Sequence, residues 1–136
     1  MKWANSLIRI SNHQVETLQK RLAVLVEARA AAEFKLVMLH AQAEAETAKA
    51  GEDADAGFYR IGFLQGWRLR RDQAIADIEA AKVEETGARD ALSRAFEELK
   101  KFEQVAEAAR LSEVKEAARR ETAALDELGL RAAQGR

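Results

Sequence analysis

A chain of 136 residues with no cysteine and no proline excludes a disulfide scaffold and any cysteine-based metal site, and it fits the cytoplasm. Its formal net charge of −1 gives no bulk attraction to nucleic acid or to anionic lipid. With 29 alanines and 33% charged residues, the composition predicts long helices and a thin molecule, because alanine favours helix strongly but buries little area.

In chain order, Met1-Lys2-Trp3 with Leu7, Ile8 and Ile10 admits two readings. It could lie on a membrane surface, or it could begin a helical seam with Trp3 packed near Phe102. The seam is favoured, since one lysine gives little electrostatic attraction to lipid. No signal-peptide pattern is evident, and no window approaches the roughly 20 apolar residues that span a bilayer.

From about Ala4 to Ala50, apolar residues recur at heptad spacing. Ile8, Val15, Leu22, Leu36 and Ala43 form one row; Leu18, Leu25, Ala32 and Leu39 form the other. This is a coiled-coil seam, interrupted by Ser11, Arg29 and Glu46. Absence of proline lets the helix run unbroken. The run Gly51-Glu52-Asp53-Ala54-Asp55-Ala56-Gly57 is the one strong break, predicting a tip over 51–57.

A second helix is expected from about Phe58 to Leu128, with a frayed tail over 129–136. Its rows are Leu64, Ile78, Leu92 and Leu99, and Trp67, Ala74, Ala81, Ala88, Ala95 and Phe102, with Arg71 and Glu85 falling inside the frame. Acid-first pairs four residues apart, Glu16–Lys20, Glu85–Arg89, Glu97–Lys101 and Glu116–Arg120, support exposed helix. Beyond about Ala109 the frame slips to a new stripe of Leu111, Val114, Ala118, Leu125 and Leu128. The fold class is therefore all-α: a single domain, a two-helix antiparallel coiled-coil hairpin with a longer second helix. The first helix can cover the second only to about Ala106, leaving some 20 residues, about 30 Å, without a partner. An isolated helix of that length is marginal in water, so the final stripe is expected to bind another chain.

Chemistry is not expected. His13 and His40 lie far apart in sequence, and one helix pair does not complete a metal site. Gly57, Gly62 and Gly66 lack the lysine and the strand context of a phosphate loop. Ser6, Ser11, Ser93 and Ser112 have no histidine placed to activate them. No enzyme, metal or cofactor is expected, and without a basic segment ahead of a zipper neither is nucleic acid. The informative segment is the start of the second helix. Phe58, Tyr59, Phe63 and Trp67 crowd ten residues there, with Arg60 in the opening turns, where the helix dipole disfavours positive charge. Either the aromatics fold over the tip as a cap, or they form a partner-binding surface; enrichment of aromatics and arginine at binding hot spots favours the second.

Together the hairpin, the aromatic tip and the unpartnered end resemble the FliJ family, the small coiled-coil proteins of the bacterial flagellar type III export apparatus. The specific patches are the C-terminal Arg120-Glu121-Thr122-Ala123-Ala124-Leu125-Asp126-Glu127-Leu128 with Arg131-Ala132-Ala133, and the aromatic start of the second helix, where Trp67 followed by Ile75 matches an exposed aromatic of the family. The resemblance implies a stalk-like protein that binds and stimulates the export ATPase, contacts the cytoplasmic domain of the export gate and escorts export chaperones. It implies a cytoplasmic location at the inner face of the cell membrane, reached only through the export apparatus. Carried onto this sequence, Trp67, Phe63, Tyr59 and Phe58 are gate-contact candidates. Leu111, Val114, Leu125, Asp126, Glu127 and Leu128 are candidates for the ATPase side. The stalk protein of a virulence injectisome and a generic coiled-coil adaptor are the alternatives; a prefoldin-like chaperone is disfavoured, since no strand pattern is visible.

Overall fold

In a computed structural model of the protein, which describes residues 2–50 and 56–135, the chain forms α1 (Lys2–Ala50) and α2 (Ala56–Gln134). They pack as an antiparallel pair with the second helix the longer. The expected tip falls largely outside the described residues, but Ala56 and Gly57 already belong to α2, two positions ahead of the expected Phe58. At the other end α2 continues to Gln134 where a frayed tail was expected from residue 129. The reason is local. A single glycine at 129 costs a helix only about 1 kcal/mol, and the residues around it are good helix formers. Arg131 donates to Glu127 at 3.1 Å and also sits in the last turn, where positive charge meets the negative end of the dipole.

Burial follows the heptad frame. The buried side chains are Ala4, Ser11, Val15, Leu25 and Leu39 on α1, and Trp67, Ala74, Ile78, Glu85, Ala95 and Leu99 on α2. All fall on the 3–4 alternation that keeps one stripe of a helix facing its partner. The packing resolves into two compact units, one of Met1–Val15 with Arg94–Arg136 and one of Glu16–Ser93.

In the first unit the seam is narrow, built around Ala4, Ser11, Val15, Ala95 and Leu99. Ser11, an interruption on paper, is among the most buried residues; a side chain this small fits a close helix–helix contact. Trp3 corrects an expectation. It is exposed because Ala4, one position along, holds the seam row, which turns the indole outward, away from the expected packing near Phe102.

In the second unit Leu39, Trp67 and Ala74 form the core, with Leu36, Ala43 and Phe63 packed against them. Two of the seam's interruptions here answer each other. Arg29 of α1 donates from Nε and, at 3.4 Å, from Nη2 to the Glu85 carboxylate of α2. Glu85 accepts in addition from Arg89 at 2.9 Å, and Arg29 donates to Glu33 at 3.1 Å. A carboxylate so deep in an apolar seam is tolerable only when paired and hydrogen-bonded. Hydrogen bonds from Arg29, then from Arg89, hold the Glu85 carboxyl below the usual glutamate range. The pair also fixes register, since a slip of either helix strands both charges against apolar neighbours.

Candidate partner-binding site

The first turns of α2 separate the four aromatics into two pairs. Phe58 and Tyr59 are 90% and 71% exposed, so two large rings sit side by side in water. Phe63 is half-buried and Trp67 only 8% exposed. The expectation that Trp67 is an exposed contact fails for a plain geometric reason: it occupies the same seam row as Ala74, facing α1. Its indole Nε1–H donates to the Leu39 carbonyl oxygen at 2.6 Å. The His40 ring meets it edge-on at 5.5 Å between centroids, and the Arg71 guanidinium lies 5.4 Å from the ring centre. Arg70 covers Phe63 in the same way at 5.9 Å. The inner aromatics therefore serve the core, and the outer two stand unpacked. Ile61 and Leu69 extend the exposed set; neither was singled out from the sequence, although both lie off the seam rows.

Arg60 occupies the first seam position described on α2. Its Nη2 donates to the Thr47 hydroxyl at 3.4 Å, while its buried Nε has no partner. Removing Phe58 and Tyr59 together, as Phe58→Ala/Tyr59→Ala, is expected to change stability by less than about 0.5 kcal/mol, because neither ring is packed. Thermal unfolding followed by circular dichroism checks this.

At the far end of α2 every described residue from Arg110 to Gly135 is exposed. Leu111, Val114, Leu125 and Leu128 form the expected stripe, with Leu130 beyond it. Asp126 and Glu127 lie exposed between Leu125 and Leu128, Glu127 paired to Arg131. Where burial ends, a shallow groove is lined by Ala4 and Ile8 of α1 and by Ala106, Ala109 and Arg110 of α2. Arg110 is held by both carboxylate oxygens of Glu107, at 3.0 and 2.7 Å, which lowers the Glu107 pKa. The ATPase-side candidates therefore share one exposed helical segment, apart in sequence from the aromatic pair.

Among the described residues, no group of three or more histidine, aspartate or glutamate side chains could hold a metal ion, and no helix is long and apolar enough to cross a membrane. His40 is engaged with Trp67.

An antiparallel helix pair whose longer helix exposes aromatics in its first turns and an apolar stripe in its last ones defines a class of small coiled-coil proteins. Residues 4–136 match the model of the family described as the flagellar FliJ protein, and the chain belongs to that family. Two curated relatives, each called flagellar FliJ protein, come from Caulobacter vibrioides strains NA1000 / CB15N and ATCC 19089 / CIP 103742 / CB 15. Both are 54% identical to this chain over 132 residues, covering 97% of it and 95% of the relative. No solved structure matches.

Proposed function

We propose that this protein is a non-enzymatic component of the flagellar type III export apparatus, working at the cytoplasmic face of the membrane as a stalk for the export ATPase. The observation that carries the reading is the last stretch of α2: a helix kept regular to Gln134 with its apolar stripe exposed throughout. A helical segment that buries nothing gains little stability of its own in water, so a protein that retains one gains by inserting it elsewhere. In this reading Leu111, Val114, Leu125 and Leu128 enter the ATPase ring, with Asp126 and Glu127 supplying charge at its wall. Phe58 and Tyr59 meet the cytoplasmic domain of the export gate. Trp67 and Phe63 act behind them by holding the start of α2 against α1. Escort of export chaperones belongs to the same proposal and rests on family membership alone.

The test is the hydrolysis rate and ring assembly of the cognate export ATPase with the full chain and with a chain truncated after Ala109. The full chain is expected to stimulate both. The truncated chain keeps the buried seam and is expected to stimulate neither. Stimulation by both chains would remove the exposed segment from the role, and stimulation by neither would remove the stalk reading.

A further inference from the structure

The outward face of α1 in the unit formed by Glu16–Ser93 is apolar where a two-stranded coil should be wet. Between Ala23 and Ala48, Val24, Phe34, Val37 and Met38 all stand more than half exposed, and the positions between them on that face are mostly alanine. These residues repeat at 3–4 spacing on the side opposite the seam, so they form a second stripe along the same helix. Composition alone does not explain it. The corresponding outer positions of α2 in the same unit also expose Leu69 and Val83, but there they alternate with Gln65, Asp72, Gln73 and Glu79, all exposed. The outer face of α2 is thus broken throughout by polar groups, whereas that of α1 is nearly continuous, and an exposed apolar strip of this extent marks an interaction site.

Charge narrows the occupant. The ionised groups within the strip are Glu27 and Glu44, exposed and without an ion pair among the described residues; Lys35 lies at its edge. For a second copy of α1 laid antiparallel, the register that sets Phe34 against Val37 places Glu27 opposite Glu44 in both halves of the contact and is opposed by like charge, whereas a helix bearing lysine or arginine there pairs with both carboxylates. An anionic lipid surface meets the same two carboxylates where it needs lysine or arginine. We infer that this face receives an amphipathic helix of another protein, one whose apolar stripe carries lysine or arginine at two positions about 25 Å apart, the axial separation of Glu27 and Glu44 at roughly 1.5 Å per residue. The site is distinct from both surfaces assigned above and does not depend on them.

The probes are two synthetic amphipathic helical peptides with the same leucine–alanine stripe. One carries lysine at the two positions and the other glutamate, and each is titrated against the full chain. The lysine peptide is expected to bind about tenfold more tightly, as two surface ion pairs of up to about 1 kcal/mol each would give. Glu27→Lys/Glu44→Lys is expected to invert the preference. Phe34→Ser/Met38→Ser is expected to abolish binding of both peptides with the melting temperature unchanged, and to shrink the swimming zone of the bacterium in soft agar. Equal binding of the two peptides, no binding of either, or undiminished swimming would overturn the inference. So would a dimer in sedimentation that Phe34→Ser/Met38→Ser dissolves, which would give the face to a second copy. Co-pelleting with phosphatidylglycerol vesicles that depends on Phe34 would overturn it in favour of a membrane.

Discussion

Trp67→Ala is expected to destabilise the protein by about 3 to 5 kcal/mol, the range for truncating a buried aromatic, and to lower its melting temperature by on the order of 10 °C. The indole is the largest side chain in the core of its unit, and its neighbours Leu39 and Ala74 cannot close over the space it leaves. The low end of the range is expected, because a two-helix layer lets solvent and side chains relax into a cavity more readily than a globular interior does. Trp67→Phe separates packing from hydrogen bonding. It keeps most of the ring but removes the donor to the Leu39 carbonyl, at a cost of about 1 kcal/mol. Thermal unfolding of the three proteins by circular dichroism measures both terms. A Trp67→Ala protein that melted like the wild type but failed in export would restore the indole to the gate-contact list.

Glu85→Lys is expected to be the most disruptive change in the charged part of the seam. It places a second positive charge against Arg29 and Arg89 where a shared carboxylate now accepts from both. The exchange Arg29→Glu/Glu85→Arg is expected to recover part of the loss, as the charges again meet across the helices, and the shortfall reports the separate contacts with Glu33 and Arg89. Acid gives a second readout. The Glu85 carboxyl is held below its ordinary value, first by Arg29 and then by Arg89. Its contribution is therefore fully present above the unfolded-state value of about 4.3 and is lost as the pH falls through the lower folded-state value. The melting temperature of the wild type should exceed that of Glu85→Gln by a constant margin above that point, and the two should converge at lower pH. Parallel curves with no convergence would mean that the pair does not titrate with folding.

The seam was legible because two-stranded packing leaves a periodic trace, and the rows containing Leu25, Leu39, Trp67, Ala74 and Ile78 are the rows found buried. Less visible was what the irregular positions do. Arg29 and Glu85 each look like a flaw when the helices are read one at a time, and become a matched pair only when the chain is folded back on itself. The exposure of Trp67 was misjudged by the opposite route. Four aromatics in ten residues exceed what one stripe can bury, but composition does not say which are left out. The seam frame does: Trp67 lies in a row, Phe63 flanks Leu64 at its edge, and Phe58 and Tyr59 fall outside it. The expected end near Leu128 falls short of Gln134, because a single glycine at 129 is too weak a break to stop a helix of good formers.

Hydrogen exchange across residues 110–134, with and without the export ATPase, tests the central claim most directly. In the free protein these amides are expected to exchange far faster than those around Leu39, Trp67 and Ile78, since a helix that buries nothing opens locally at little cost. Adding the ATPase is expected to protect them while leaving the seam amides unchanged. Slow exchange in the free protein, or no gain of protection with the ATPase present, would contradict the account of this segment as the working end of the molecule.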